Sequence, residues 1–276
     1  MIDTQERVPW IMLGSFQQNN FRLMKKIVFM SVAYNCTAFD TAPSYGSEEI
    51  LGKAIEKCIK NGFVNEKNIF LSDKIDAIQM CKSKGEIRPY VLKSLKKLKR
   101  EYLDLLLIHW PIREYFDATW RCMQRIKKEG IVKNIGVCNI DRNFYKEKEK
   151  QIGFKPDYIQ NEISPLNVDE ENIVFFKSRG VHIIAYSPLC RMCHQVCNSD
   201  ILNDLSAYYQ KSIPQIILKW HIQKGIIPIF SSHSVDRISN NLEINDFELD
   251  IIDIYRIDSM DMKYKIFPLS YGCPGY

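Results

Sequence analysis

The chain has 276 residues, of which 38 are lysine or arginine and 33 are aspartate or glutamate, so its formal net charge is +5. Apolar residues make up 46% of the chain and charged residues 26%, a composition that is ordinary for a globular protein and excludes a collagen-like, disordered or coiled-coil chain. The length suits either one large barrel or two smaller domains.

The N-terminal sequence MIDTQERVPW has no apolar segment behind a basic one, so it does not resemble a secretory signal peptide. No run approaches the roughly 20 apolar residues that a helix needs to span a bilayer. We therefore expect a cytoplasmic protein without a membrane partner. In that compartment the nine cysteines are expected to be free thiols rather than disulfides.

Eight short apolar segments, each ending in polar or turn residues, follow one another along the chain. Consecutive aliphatic residues, as at 105–108, indicate strands that are buried on both faces, as parallel strands are. The segments are 11–16, 36–41, 68–74, 102–109, 134–139, 157–162, 181–187 and 226–231.

Amphipathic helical patterns separate these strands. In the clearest one, Ser47 is expected to cap the helix, Glu48 and Glu49 favour its first turn, and Asn61-Gly62 ends it. Other helical patterns lie at 18–33, 88–100, 114–129, 142–150, 169–179, 200–224 (in two pieces) and 235–242. The lysines between 93 and 100 fall on the polar face of one such helix, so we interpret them as a solvated surface rather than a nucleic-acid site.

Alternation of eight strands with helices predicts a (β/α)₈ TIM barrel that forms one domain over residues 1–276. An open doubly wound sheet is the main alternative. Such sheets usually carry a glycine-rich turn after the first strand, and the sequence contains no G-x-G. No linker rich in proline, glycine or serine divides the chain.

Four polar residues stand at the ends of predicted strands or in the loop that follows, where barrel enzymes keep their catalytic groups. Asp40 ends the second strand and Tyr45 follows it, while Lys74 and His109 end the third and fourth. Carbonyl reduction needs a proton delivered to oxygen. We expect Lys74 to lower the pKa of Tyr45 from its usual value of about 10. Asp40 would keep Lys74 charged, and His109 would polarise the carbonyl.

Each of the four residues also has a purely structural interpretation. Asp40 could cap a turn, Tyr45 could pack on the rim of the barrel, and His109 could be a satisfied core histidine. Lys74 could lie on the surface, although an inward-facing charge at the end of an apolar strand needs a partner. Their joint position at successive strand ends favours the catalytic interpretation.

Longer segments resemble the aldo-keto reductase family, in matching order and over nearly the whole chain. They are FDTAPSYGSEEILGKAI from 39, DLLLIHWP from 104, GVCNI from 136, IQNEISP from 159, AYSPL from 185 and DRISNNLEINDFEL from 236. The resemblance implies an oxidoreductase that converts an aldehyde or ketone into an alcohol, or the reverse. Tyr45 would be the general acid in reduction. Lys74 and Asp40 would adjust the pKa of Tyr45, and His109 would orient the carbonyl.

The resemblance also implies NADP as the cofactor, with NAD as a second candidate. Asn139 and Gln160 would hydrogen-bond the nicotinamide carboxamide, and Tyr186 would stack on the nicotinamide ring. Tyr186 could instead be a core aromatic residue and Gln160 an interior polar one. Phe16 and Trp110 would form an aromatic wall of the substrate pocket. The predicted cofactor contacts are Asn139, Gln160, Tyr186, Ser187, Leu189, Ser231, Ser232, Ser234, Arg237, Asn240 and Asn241.

A helix that begins near Ser234 follows the eighth strand, and a free helix N-terminus can bind phosphate. Ser231, Ser232 and Arg237 supply further donors; an ordinary serine-capped helix with a surface arginine is the alternative. The family usually has Ile-Pro-Lys-Ser where residues 229–232 here read Ile-Phe-Ser-Ser. Ser231 thus replaces the lysine expected at the 2′-phosphate of NADP. We expect NADP(H) to be used with a weaker preference over NAD(H).

Two features of the substrate region depart from the family. Gly-Ser-Phe at 14–16 stands where Gly-Thr-Trp is usual, and both the loop 189–200 and the tail 267–276 are short. A short rim predicts an open pocket.

A group of thiols follows the seventh strand at Cys190, Cys193 and Cys197, with His194 among them. The spacing resembles c-type haem attachment or a metal cluster, but haem attachment needs an exported chain and a fourth cysteine is lacking. We favour a cysteine-rich loop and predict no metal. Two alternatives to an enzyme stay open: a nicotinamide-binding regulatory or interaction protein with little turnover, and a metal or redox protein that uses this cluster. The predicted partner is a small molecule and not a nucleic acid, and the oligomeric state is not indicated.

Overall fold

A computed structural model of the chain describes residues 8–268. Within them, eight parallel strands close into a barrel in sequence order, and the first strand pairs with both the second and the last. The strands are β1 (Met12–Gly14), β2 (Ala38–Asp40), β3 (Phe70–Ile75), β4 (Leu103–Ile108), β5 (Val132–Cys138), β6 (Tyr158–Glu162), β7 (His182–Tyr186) and β8 (Ile227–Phe230). Every predicted segment overlaps one of them, so the predicted (β/α)₈ barrel is confirmed.

Helices connect the strands and surround the barrel. They are α1 (Phe21–Ala33), α2 (Glu48–Lys60), α3 (Ala77–Ser83), α4 (Arg88–Leu98), α5 (Arg113–Lys128), α6 (Arg142–Ile152), α7 (Glu170–Ser178), α8 (His194–Cys197), α9 (Asp200–Tyr209), α10 (Ile213–Gln223), α11 (Val235–Leu242) and α12 (Ile251–Asp258). None of those described is long and apolar enough to cross a membrane.

The helical patterns missed α3, α8 and α12. α12 carries apolar residues on more than one face, since Ile257 is buried whereas Ile251, Ile252 and Tyr255 are exposed, so no single stripe stands out in its sequence. α3 and α8 span seven and four residues, which is too short for a helical period to stand out.

The expected cap at Ser47 was wrong. Its backbone is helical, with φ −100° and ψ −6°, and its side chain makes no capping hydrogen bond. The Ser47 hydroxyl instead lies 2.9 Å from the Ser15 hydroxyl and 3.3 Å from that of Thr41. All three residues are buried, so each hydroxyl needs a hydrogen-bond partner inside the protein. The Ser47 hydroxyl is therefore bonded within this cluster and not to the backbone of the helix.

Alternation along the strands divides the core into two layers. On β4, Leu105 and Leu107 belong to a small cluster inside the barrel, whereas Leu106 and Ile108 belong to the larger cluster between barrel and helices. On β3, Phe70 lies in the inner cluster, and the same alternation turns Ser72 and Lys74 inward. A fully buried lysine therefore stands inside the barrel.

Gly136 on β5 marks the closest approach between neighbouring strands. A Cβ atom at this position would lie 2.2 Å from the carbonyl oxygen of Tyr158 and 2.7 Å from Cδ2 of Leu107. Tyr158 is its partner in the β5–β6 register, so only a residue without a side chain preserves that register.

We predict that Gly136→Ala lowers the free energy of unfolding by about 2 kcal/mol, because the new methyl group forces β5 and β6 apart. Urea unfolding, followed by circular dichroism, measures this change. A loss of less than about 0.5 kcal/mol, the size of an ordinary surface substitution, would contradict the predicted clash.

Candidate active site

A cavity of about 1120 Å³ opens at the C-terminal ends of the strands, the end of a TIM barrel where active sites lie. Most of the predicted site residues line it. They are Phe16, Asp40, Tyr45, His109, Trp110, Asn139, Gln160, Tyr186, Ser187, Leu189, Ser231, Ser232, Ser234 and Arg237. Lys74 lies beneath the cavity floor, fully buried. Asn241 is buried and Asn240 is exposed, and neither lines the cavity.

An ion pair forms the floor of the cavity. Nζ of Lys74 lies 2.5 Å from Oδ2 of Asp40 and donates a second hydrogen bond to the carbonyl oxygen of Thr41 at 3.0 Å. The other Asp40 oxygen accepts from Nε2 of Gln160 at 3.2 Å. Burial is the largest single effect and lowers the pKa of Lys74, but the charge and hydrogen bond of Asp40, with smaller contributions from Tyr45 and Cys138, together raise that pKa above its ordinary value. The pairing with Asp40 therefore favours the charged form of Lys74.

Tyr45 lies directly above this ion pair. It ends a short 3-10 helix, Pro43–Tyr45, which Gly46 terminates with φ +68°, a conformation that favours glycine. The centre of its ring is 5.0 Å from Nζ of Lys74. Burial raises the pKa of Tyr45 above its ordinary value, and the opposing charge of Lys74 is the smaller effect. The effect of Lys74 has the expected sign, but burial outweighs it and favours the protonated phenol at neutral pH.

His109 stands beside Tyr45 at the end of β4. Its Nε2 is 3.5 Å from the Tyr45 hydroxyl, and its Nδ1 is 2.6 Å from Oδ1 of Asp76. Burial lowers the pKa of His109, and the contact with Asp76 only partly offsets this. The structure thus places His109 and Tyr45 side by side next to a buried cation, and burial favours the neutral form of each ring.

Asp76 is the site residue that the sequence analysis missed. It follows Lys74 by two residues, so the alternation of an extended chain puts both on the same side. The signal was present in the segment Ser72-Asp73-Lys74-Ile75-Asp76, but only the fold shows that this carboxylate meets His109. Asp73, which directly precedes Lys74, is also buried, and burial raises its pKa to about 8.

Two aromatic side chains flank the catalytic candidates, as predicted for the substrate pocket. The ring of Phe16 meets the ring of Tyr45 edge to face at 5.0 Å, and Trp110 stacks along His109 at 6.2 Å. They form an apolar wall at the mouth of the cavity.

A phenol and an amide that line the cavity are joined by hydrogen bonds. The Tyr186 hydroxyl donates to Oδ1 of Asn139 at 2.7 Å, and Nδ2 of Asn139 donates to the backbone carbonyl of His109 at 3.0 Å. Asn139 adopts φ +61°, which asparagine tolerates better than most residues. These bonds fix the orientation of Asn139 and Tyr186 beside the catalytic candidates.

The N-terminus of α11 borders the far end of the cavity. Ser234 caps it by accepting from the backbone N–H of Arg237 at 3.3 Å, and the Ser232 hydroxyl accepts from the N–H of Ser234 at 3.1 Å. Ser231 and the Arg237 side chain are exposed. The serine-capped helix of the alternative interpretation is therefore present, and it points into the same cavity as the candidate catalytic residues.

The rim is more structured than the sequence indicated. Residues 190–192 form a 3-10 helix and 194–197 form α8, so the segment 189–200 is not a plain loop. Arg191 and Met192 line the cavity together with Phe267, and the Arg191 guanidinium lies 4.8 Å from the Phe267 ring centre. The remainder of the predicted short tail, 269–276, lies outside the described residues.

Glu162 fastens the C-terminal segment to the rim. Its two carboxylate oxygens accept the backbone N–H groups of Ile266 at 2.6 Å and Phe267 at 2.9 Å. Because Glu162 ends β6, this contact places Phe267 over the cavity.

The cysteines after β7 do not converge. Cys190 is buried, Cys193 is half-buried, and Cys197 is exposed with its thiol directed to the carbonyl oxygen of Met192. Among residues 8–268, no group of three or more histidine, cysteine or acidic side chains is arranged to hold a metal ion.

Comparison with known proteins identifies the family. The profile described as "Aldo/keto reductase family" matches residues 10–191 and 194–262. An uncharacterized oxidoreductase, YtbE, of Bacillus subtilis is 32% identical over 261 residues, which is 95% of this chain and 92% of that protein. The glyoxal reductase of the same organism is 31% identical, and the methylglyoxal reductase DkgA of Escherichia coli O157:H7 is 30% identical, both over the same shares of each chain.

A solved structure gives the same result. The aldo-keto reductase AKR2E4 of Bombyx mori, in complex with NADP, superposes with a TM-score of 0.88 at 26% identity, over 96% of this chain and 95% of that one. Because the family profile covers nearly the whole chain and the barrel carries its polar residues where that profile matches, this protein belongs to the aldo/keto reductase family.

Proposed function

We propose that this protein reduces a small aldehyde or ketone to an alcohol with NADPH, and that Tyr45 donates the proton. The position of the Tyr45 hydroxyl supports this most directly. It lies in the cavity within 3.5 Å of His109 and above the Lys74–Asp40 ion pair. A protonated phenol held next to a fixed cation is a suitable general acid, since the cation stabilises the phenolate that forms as the proton leaves.

The cavity fits a nicotinamide dinucleotide. At one end Asn139, Gln160 and Tyr186 supply amides and an aromatic ring beside Tyr45, and at the other end the N-terminus of α11 and Arg237 supply groups that bind phosphate. When bound, the nicotinamide supplies the hydride to the carbonyl carbon. Asn139 and Gln160 would hold its carboxamide and Tyr186 its ring. Ser187, Leu189, Ser231, Ser232 and Ser234 would contact the rest of the dinucleotide.

The remaining residues have distinct tasks in this proposal. Asp40 keeps Lys74 in place, and Lys74 stabilises the developing charge on Tyr45. His109 orients the carbonyl oxygen toward the phenol, while Phe16 and Trp110 exclude water from the reacting atoms. Asn240 and Asn241, although outside the cavity, follow the phosphate-binding turn and are the candidate adenine contacts.

The names of two relatives suggest the first substrates to try. One is called a glyoxal reductase and another a methylglyoxal reductase. Both names point to small dicarbonyl compounds, which would fit between Tyr45 and the aromatic wall. We propose that residues 1–276 carry out this reaction as one domain in the cytoplasm.

We predict that Tyr45→Phe lowers kcat for methylglyoxal reduction at least about 100-fold, because it removes the proton donor but little volume. The loss of NADPH absorbance measures turnover, and quenching of tryptophan fluorescence measures NADPH binding, which should not change.

Tyr34→Phe is the matched control, since Tyr34 bonds Glu243 at the surface and lies away from the cavity. Full turnover by Tyr45→Phe would show that this residue is not the acid. Tight NADPH binding without turnover of any carbonyl by the native protein would favour the alternative of a cofactor-binding regulatory protein.

The cofactor preference gives a second prediction. The native protein should bind NADPH more tightly than NADH, and Arg237→Ala should weaken NADPH binding about tenfold, the effect of losing one charge-assisted hydrogen bond. NADH binding should be unchanged, because NADH lacks the 2′-phosphate. Ser231→Lys should strengthen NADPH binding by restoring a cation beside Arg237.

Fluorescence titrations of the native protein and of each variant with NADPH and with NADH measure these affinities. Arg88→Ala is the control, because Arg88 pairs with Glu129 on the surface. A strong preference of the native protein for NADH, or equal losses for both cofactors in Arg237→Ala, would contradict the assigned phosphate contact.

A further inference from the structure

Asp76 is held in a fixed position at the edge of the cavity. It is the N-cap of α3, where its side chain and that of Gln79 form a capping box. Oδ2 accepts the backbone N–H of Ser44 at 2.8 Å, and Oδ1 accepts the Ser44 hydroxyl at 3.0 Å. The same Oδ1 lies 2.6 Å from Nδ1 of His109. The side chains of His109 and Asp76 are only 15% and 12% exposed.

These contacts determine where the protons are. Both Asp76 oxygens accept hydrogen bonds, which is the pattern of an ionised carboxylate. Burial raises the pKa of Asp76, but its hydrogen bonds from His109 and Ser44 outweigh this and leave it below the ordinary value. An ionised carboxylate only accepts, so the 2.6 Å contact requires a hydrogen on Nδ1 of His109.

The consequence concerns the other ring nitrogen. A neutral imidazole carries one hydrogen, and Asp76 keeps that hydrogen on Nδ1. Nε2, which faces Tyr45 and the cavity, then presents a lone pair. A lone pair cannot donate to a carbonyl oxygen, and it repels one. His109 becomes a donor at Nε2 only after it takes a second proton from water.

We propose that Asp76 is a positioning residue that holds the hydrogen of neutral His109 on Nδ1, so that His109 polarises the substrate carbonyl only in its doubly protonated form. This rests on the proposed carbonyl reduction. It makes reduction depend on protonation of His109, because the ring is an effective partner for the carbonyl below its pKa and an ineffective one above it.

Other charged and titratable groups surround His109 as well. Lys74 on β3 lowers its pKa and Asp40 on β2 raises it. Tyr45 faces Nε2 with a phenol that burial keeps protonated. Cys138 on β5 lines the same cavity, and burial raises the pKa of its thiol as well. Asp76 is the group of this set that contacts Nδ1 directly, and so it decides the tautomer.

Nitrogen NMR tests the tautomer without any need for turnover. The full-length chain, labelled at its five histidines, is compared with and without NADP⁺, and His109→Gln identifies the resonance. Neutral His109 should carry its hydrogen on Nδ1. In Asp76→Ser and Asp76→Asn the Nε2–H form should appear. Serine and asparagine cap helices about as well as aspartate, so α3 stays intact in both variants.

The pH dependence of methylglyoxal reduction tests the consequence. In the native protein kcat should fall about tenfold per pH unit above the apparent pKa of His109. In Asp76→Ser and Asp76→Asn neutral His109 can donate from Nε2, and kcat should become nearly constant over that range. Asp246→Asn is the matched control, because Asp246 is a surface residue paired with Lys211, and it should keep the native profile.

Two results would overturn the proposal: a neutral native His109 with its hydrogen on Nε2, or an unchanged pH profile in both Asp76 variants. A native protein that turns over no carbonyl would refute the proposed function instead. The NMR measurement would still decide whether Asp76 sets the tautomer of His109.

Discussion

The buried ion pair between Lys74 and Asp40 is the interaction on which the rest of the site depends. A lysine inside a barrel is unfavourable unless a carboxylate accompanies it, and removal of either partner would leave an uncompensated charge in a dry environment. Here the pair is also bonded to the backbone of Thr41 and to Gln160, so β2, β3 and β6 are tied together at one level of the barrel. Tyr45 then rests on a cation that cannot move away.

The pair also explains how the two titratable groups above it behave. Burial opposes charge on Tyr45 and on His109 alike, and for each residue burial is the largest effect on the pKa. The charge of Lys74 lowers both pKa values, so it opposes the effect of burial on Tyr45 and adds to the effect of burial on His109. Burial therefore favours the protonated phenol of Tyr45 over a fixed positive charge, and it makes protonation of His109 less favourable. This arrangement disfavours a resting phenolate, yet stabilises one that forms during proton transfer, which is what an acid in carbonyl reduction requires.

The sequence predicted the barrel and the four central residues because both follow from short-range patterns. Eight apolar segments mark the strands, and parallel strands in a barrel bring their ends together whatever the helices do, so Asp40, Lys74 and His109 had to meet. Asp76 and Ser47 could not be assigned in the same way. The partner of Asp76 is His109, 33 residues away at the end of another strand. The Ser47 side chain does not cap its helix, because it contacts the hydroxyls of Ser15 and Thr41, which only the fold brings near. Glu162 accepts the backbone N–H of Phe267 and so helps to hold it at the cavity, a contact that has no signature in the local sequence.

The site has a part formed by side chains on strands, where substitutions disturb the fold, and a part formed by loops, where substitutions are tolerated. The floor is formed by Asp40 and Lys74, which lie on strands and make two hydrogen bonds each, so a change there disturbs the barrel itself. The phosphate turn and the rim are formed by loops, where Ser231 and Arg237 are exposed and Arg191 rests on Phe267. In the proposed function, a serine at 231 therefore changes the charge beside the cofactor without touching the ion pair. In the proposed function the barrel therefore sets the chemistry, and a few side chains around the opening would set the choice of cofactor and substrate.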